Sequence, residues 1–355
     1  MENLNQPHEI FSSPKNRWTD DYRQAIKSHK ELESFFECSF PKTPYPIFLP
    51  ISVANKIKTN GLHSPLGLQF LPQEEENQDL GFADPIGDQT HQKTKQLIHR
   101  YHNRALFIPT QNCPVICRYC FRKNELYEEN AVFKQDLDET KSYLLTHPEI
   151  EEIIFTGGDP LMVSNEKIKS YLEFLATIPS IKYVRFHTRT PVIIPSRIDD
   201  ELLAIFEQAK THFKRFLIMI HVNHVEEIGQ EEALAIKKLT DKHIELHSQT
   251  VLLKGVNDSA ETLYDLLKAL IDLNIHPYYL HHPDQVKGGM HFGMSLEMGR
   301  KIYQPLRDLL SGWAVPEYVI DIPGGDGKVN AFNPESYHFS GVLINKSGHF
   351  TQIFQ

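Results

Sequence analysis

Asn112-Cys113-Pro114-Val115-Ile116-Cys117-Arg118-Tyr119-Cys120-Phe121-Arg122 decides how the rest of this 355-residue chain is read. Three of the chain's four cysteines stand here, spaced C-x3-C-x2-C. Thiolates this close repel one another unless a cation lies between them. A structural zinc site takes four ligands, usually as two separated pairs. Neither the distant Cys38 nor His102 upstream of Cys113 supplies a second pair. Three cysteines without a fourth fit a four-iron, four-sulfur ([4Fe-4S]) cluster with one iron left open to a small molecule. A zinc knuckle, a disulfide pair or chance spacing are the weaker alternatives.

Composition agrees with an enzyme of a reducing compartment. The net charge is −9, the pI is about 6.1, and the basic residues are not massed in runs, which argues against a nucleic-acid partner. No apolar run approaches the ~18 residues of a membrane-spanning helix. Met1 to Asn16 is polar and reads as no export signal. Clustered cysteines without such a signal point to the cytoplasm.

Upstream of the cysteines, residues 1–98 read as a mostly helical N-terminal region. A helix is expected over Trp18 to Phe36 and a shorter one over Ser52 to Lys58. The prolines between Phe40 and Pro50 make that stretch extended or turning. The acidic stretch Gln73 to Asp79 reads as a surface loop, and no chemistry is visible before the region's end.

Downstream, short runs rich in β-branched, aromatic and aliphatic residues alternate with helical stretches. Strands are expected at Ala105 to Pro109, Glu152 to Thr156, Tyr183 to His187, Phe216 to His221, Leu246 to Leu253 and Pro277 to Leu280. Helices are expected over Asp199 to Phe213 and after a cap at Asp258, with Glu261 completing the capping box. This rhythm implies parallel strands with right-handed crossovers, an α/β fold forming a partial (β/α)6 TIM-like barrel. The expected boundaries are 1–98, 99–284 for the barrel and 285–355 for a C-terminal segment. The cysteines follow the first strand, on the rim where barrel chemistry belongs.

Other rim residues are polar. Thr156-Gly157-Gly158-Asp159-Pro160 follows the second strand; it is either a tight turn or a place where backbone approaches a ligand. Arg185, His187 and Arg189 flank the third strand's end, His221 and Asn223 end the fourth, and Gln249 lies in the fifth. Near the C-terminus, Pro323-Gly324-Gly325-Asp326-Gly327-Lys328 offers a lysine among glycines. By itself it reads as a solvated loop lysine; beside a cofactor it could bond pyridoxal phosphate (PLP) covalently. Arg100 and Arg104 could then hold the phosphate.

Cys117-Arg118-Tyr119-Cys120, with an aromatic before the last cysteine, resembles the signature of radical S-adenosylmethionine (SAM) enzymes. His99-Arg100-Tyr101-x-x-Arg104, Arg122, Gly157-Gly158-Asp159, Gln249 to Leu253, Tyr278-Tyr279-Leu280 and Pro323 to Lys328 together resemble the lysine 2,3-aminomutase family. The likeness runs from about Phe40 onward. It implies a radical SAM, PLP-dependent isomerase that moves the α-amino group of L-lysine to the β-carbon. By resemblance, Cys113, Cys117 and Cys120 hold the [4Fe-4S] cluster, Lys328 bonds PLP, and Arg100 and Arg104 bind its phosphate. Gly157, Gly158, Asp159, His221 and Gln249 contact SAM; Arg122 meets the substrate carboxylate, and Asp284 and Asp321 its distal amine. An electron donor such as flavodoxin or ferredoxin and a homo-oligomer are further implications.

The chain departs from the family pattern at three places. No cysteine follows Cys120, so the zinc bound by many family members is not expected. Asp326 replaces the third glycine of the family's run, and Leu280-His281-His282-Pro283 changes one pocket wall. The Cys117 to Arg122 stretch also resembles the branch that acts on a lysine of elongation factor P. A hairpin expected from Ser340 to Phe354, turning at Ser347-Gly348, would close the barrel over a small substrate and favours free lysine. A PLP-independent radical SAM enzyme and an iron–sulfur scaffold are the readings from other classes. Lys328 with Arg100 and Arg104 argues against the first, and the complete set of cysteines against the second.

Overall fold

The computed structural model describes residues 17–126 and 137–332, and the backbone of 342–344 and 350–352. Its framework is one sheet of ten strands, each hydrogen-bonded to the next in chain order. They are β1 (Gln92–Thr94), β2 (Leu97–Tyr101), β3 (Arg104–Thr110), β4 (Glu152–Gly157) and β5 (Tyr183–Thr188), followed by β6 (Arg215–His221), β7 (Glu245–Val251), β8 (His276–His281), β9 (Glu317–Ile322) and β10 (Gly327–Asn330). From β3 to β9 every pairing is parallel. Antiparallel strands finish both edges: β1 and β2 on one side, β10 on the other. No pairing joins β1 to β10 among the described residues, so the barrel is partial.

The six expected strands are present. The seventh parallel strand, β9, escaped notice because Glu317 to Ile322 runs straight into the glycine turn and reads as part of it. The sheet also crosses both expected boundaries, since β2 spans residue 98 and β9 and β10 lie beyond residue 284.

Period-two alternation divides the barrel into two faces. Ile153, Phe155, Val184, Phe186, Phe216 and Ile218 point outward into one hydrophobic core with Leu172, Leu202 and Phe206 of the crossover helices. Phe155 and Phe186 stack at 4.3 Å between ring centroids. The inward positions Glu152, Arg185, His187, His221, His247 and Gln249 line a cavity instead. Ser164, Asp199, Ser259 and Ser295 each cap a helix by accepting from an N–H three residues on. Asp258 is therefore not the cap; its carboxylate accepts from the Gly255 N–H at 3.0 Å.

The N-terminal region packs on the same core through Ile26, Leu49, Val53 and Ile57. The expected helix from Trp18 to Phe36 is two, Arg17–Arg23 and His29–Phe36, because Ile26 leaves the helix to bridge Leu49 and Ser28 caps the second. The Gln73 to Asp79 stretch lies mostly at the surface, as expected, with Glu74, Glu75, Asn77, Gln78 and Asp79 exposed. It holds a single 3-10 turn, Glu74–Asn77, that buries Glu76. Near the C-terminus, Val342–Ile344 pairs antiparallel with Phe350–Gln352, as a hairpin requires. The Ser347-Gly348 turn lies outside the described residues, as does the polar start of the chain.

Candidate active site

A cavity of about 770 Å³ runs through the barrel interior. Cys113, Cys117, Cys120, Gly157, Gly158, Asp159, His221 and Gln249 line it, together with Arg100, Arg104, Arg122, Asp284, Asp321 and Lys328. Each of these was marked in the sequence, and the fold gathers all of them. The cysteines sit beyond the C-terminal end of β3, whereas Arg104 starts that strand, so these side chains enter the lumen from opposite ends.

The cysteine loop is held by buried charge. Arg118 donates to Glu76 Oε1 and Oε2 at 2.9 and 2.7 Å, and Lys123 donates to Glu76 Oε2 at 3.1 Å. Lys123 also donates to the Arg118 and Gly288 carbonyls, and burial brings its amine down to about 8. On the other side, Arg189 reaches Cys117 Sγ, Tyr119, Gln69 and Glu227, while Tyr119 Oη lies 2.7 Å from His221 Nε2. Burial, with Cys117 nearby, pushes the Cys120 thiol up to about 11. An ionised thiolate there needs positive charge beside it. Among the described residues no His, Cys, Asp or Glu side chains form a group able to hold a single metal ion. A cubane asks for something different, because each thiolate takes its own iron. Three cysteines along one cavity wall fit that demand.

The Gly-Gly-Asp turn braces this loop. A Cβ at Gly158 would stand 2.4 Å from the Asn112 carbonyl oxygen, and Gly157, at φ 110°, leaves no room beside Ile108 and Thr110. The Asp159 carboxylate accepts from the Leu161, Arg189 and Thr190 N–H groups and from the Thr188 hydroxyl. Its lone pairs are thus occupied by the chain itself, so the side chain acts as a clamp between strand ends β4 and β5. Any contact of this cavity-lining residue with SAM would come from its backbone.

Lys328, which lines the same cavity, is no solvated loop lysine. It lies on β10, 2.7 Å from Asp321 Oδ2 and 3.0 Å from Oδ1. Burial opposes the Lys328 charge, yet Asp321 holds the ammonium above its ordinary value. Burial likewise opposes the Asp321 charge, and Lys328 keeps that carboxyl below its usual range. Asp284 is pushed up to about 8 by burial and by Asp321. Burial lowers His281 to about 3, so its imidazole is neutral.

Asp88 was missed in the sequence. Its buried carboxylate holds Arg100 through Oδ1 at 2.6 Å and Arg122 through Oδ2 at 2.6 and 3.1 Å. Arg122 also donates to Thr156 at 3.1 Å. One carboxylate from the N-terminal region therefore sets two site arginines, and no local pattern around Asp88 announces it. Arg104 lies flat on Tyr101, 3.7 Å from the ring centroid, and Tyr101 accepts from the Lys328 N–H at 2.8 Å. Arg100 Nε and His187 Nε2 are buried without a hydrogen-bond partner. Orphaned polar nitrogens beside a lysine and stacked arginine suit an anionic, heteroaromatic guest such as PLP.

The chain resembles curated proteins along most of its length. A family model described as the Radical SAM superfamily matches residues 107–267. The L-lysine 2,3-aminomutase of Haemophilus influenzae is 36% identical over 332 residues, covering 91% of this chain and 97% of that one. The chain belongs to the lysine 2,3-aminomutase family. The Escherichia coli relative is 37% identical over 289 residues, 81% of this chain and 83% of its own. The Clostridium subterminale relative is 29% identical over 347 residues, 92% and 81% respectively.

Proposed function

We propose that this chain is an isomerase converting L-lysine to β-lysine by moving the α-amino group to the β-carbon, using a [4Fe-4S] cluster, SAM and PLP. The observation that carries this reading is one cavity lined by the three cysteines and by the Lys328–Asp321 pair with Asp284. Cys113, Cys117 and Cys120 would hold the cluster. His221, Gln249 and the backbone at Gly157 and Gly158 would face SAM, Lys328 would bond PLP, and Arg104 with Arg100 would meet its phosphate. When bound, these groups supply a carbon radical that takes a substrate hydrogen and a π-system over which the amine migrates.

The chain's own residues do the rest. Arg122, fixed by Asp88 and Thr156, offers a planar fork for the substrate carboxylate. Asp284 and Asp321 give two carboxylates for the distal ammonium, which selects lysine over glutamate or alanine. Asp321 can take that role once Lys328 is engaged by the cofactor. The barrel walls keep water away from the reacting carbons. A flavodoxin or ferredoxin is the proposed electron donor, and the cytoplasm the proposed setting. No helix in the described residues is long and apolar enough to cross a membrane. A homo-oligomer is proposed from the family resemblance alone.

Anaerobic incubation with SAM, PLP, a reductant and labelled L-lysine tests this reading. β-Lysine should accumulate, read by NMR and mass spectrometry. No β-lysine, or equal turnover of glutamate, overturns it.

A further inference from the structure

Arg189 is unused by the reading above, although its guanidinium is buried against the cysteine loop. Nη1 donates to Cys117 Sγ at 3.2 Å and to Tyr119 Oη. Nη2 donates to Gln69 Oε1 at 2.8 Å and to Glu227 Oε2 at 2.5 Å. The Arg189 and Glu227 side chains are only 6% and 1% exposed, so neither charge is screened by water. Glu227 is itself fixed by the Asn223 and His224 N–H groups and by Gln69. Asp159 accepts from the Arg189 N–H, which anchors the backbone end. A permanent cation thus touches one cysteine sulfur, and a permanent anion stands directly behind it.

We propose that Arg189 and Glu227 set the reduction potential of the cluster from opposite directions. The inference rests on the reading of Cys117 as a cluster ligand. Reduction adds one electron from an external low-potential one-electron donor, forms no bond and moves no proton. The reduced state carries one more negative charge. A guanidinium hydrogen-bonded to a ligating sulfur favours that state and raises the midpoint, whereas the Glu227 carboxylate offsets part of the effect. Hydrogen bonds to sulfur, local charge and burial are the levers by which proteins tune such clusters. The arrangement would place the cluster where a physiological donor can reduce it before SAM is cleaved.

The test is an EPR-monitored redox titration of the reconstituted holoenzyme, with photoreduced deazaflavin as donor and without SAM. Iron and sulfide content is measured first. Glu227→Gln should raise the midpoint. Adding Arg189→Gln in that background avoids leaving a buried carboxylate unpaired. It should lower the midpoint by about tenfold in the reduced-to-oxidised ratio at fixed potential, or about 59 mV for one electron. Arg189→Lys keeps the charge without the fork and should fall between. Midpoints that stay put, a Glu227→Gln midpoint that falls, or a double variant whose midpoint is not below that of Glu227→Gln overturn the proposal. So does a double variant with an unmoved midpoint and weakened SAM binding, which would make Arg189 a SAM contact instead. Absence of a cluster in the unmutated protein sinks the cysteine assignment and this proposal together. Full cluster content with unmoved midpoints sinks this proposal alone.

Discussion

The Asp321 carboxylate meets the Lys328 amine at 2.7 Å across the β9–β10 hairpin, where the two residues stand directly opposite in register. The turn between them carries Gly324, Gly325 and Gly327 at φ between 87° and 93°, a region other residues adopt at a cost. The glycine run is therefore a register device. It delivers a lysine on a strand, facing a carboxylate, into the barrel lumen.

Lys328→Ala should abolish borohydride-fixable pyridoxal while leaving fold and cluster content unchanged. Asp321 would not be stranded, because Arg100 Nη1 lies 3.7 Å from its Oδ1. Peptide mass spectrometry after borohydride reduction checks this. Pyridoxyl found on another lysine would show the assignment to be wrong.

Asp284 gives a pH dependence. Its carboxyl is raised from 3.8 to about 8, so below pH 8 it must release a proton before facing a substrate ammonium. Lysine affinity should therefore fall by up to about tenfold per unit as pH drops below 8. Titration calorimetry of L-lysine into PLP-loaded protein without SAM, in two buffers of different ionisation enthalpy, counts the proton. For stability the sign reverses the usual carboxylate case. The folded state holds a proton that the unfolded chain has lost between pH 3.8 and about 8, so this group's contribution declines as pH rises through that window. Asp284→Asn should remove both dependences. An affinity flat from pH 6 to 8 would contradict the assignment.

The strands and the cysteine loop were readable because each rests on local signal: period-two alternation, or three thiols within eight positions. Lys328 and Asp321 needed the family resemblance, since taken alone the glycine-rich turn reads as solvent-exposed. Glu76, Asp88 and Gln69 were unreadable for a physical reason. Glu76 binds a partner 42 positions away and Asp88 partners 12 and 34 away, and an acidic residue among polar neighbours looks like a solvated face. The structural role of the Asp159 carboxylate was equally unreadable. The residue follows two glycines on a barrel rim, where a ligand contact is a reasonable guess, yet its oxygens are taken up by Thr188 and three backbone amides.

Glu76→Gln should strand two buried cations, Arg118 and Lys123, and cost about 3–5 kcal/mol in denaturant unfolding. Adding Lys123→Met removes one of those cations and should recover part of the loss. Single and double variants of equal stability would mean that the ion cluster does not hold the loop.

Gly158→Ala tests whether the Gly-Gly turn serves the cysteine loop or merely turns the chain. The new Cβ would lie 2.4 Å from the Asn112 oxygen and 2.5 Å from the Gln111 carbonyl carbon and oxygen. These are backbone atoms, which cannot swing aside as a side-chain tip does. Residues 111–112 must therefore shift, and Cys113 is covalently next in line. Overpacking of this kind costs about 1–3 kcal/mol, so the protein should still fold while iron and sulfide content drops below that of the unmutated chain. Gly312→Ala is the control, because a Cβ there meets nothing within 4 Å. It should leave both stability and cluster content unchanged. If Gly158→Ala assembles a full cluster, the turn is only a turn, and the bracing of Cys113 must come from elsewhere.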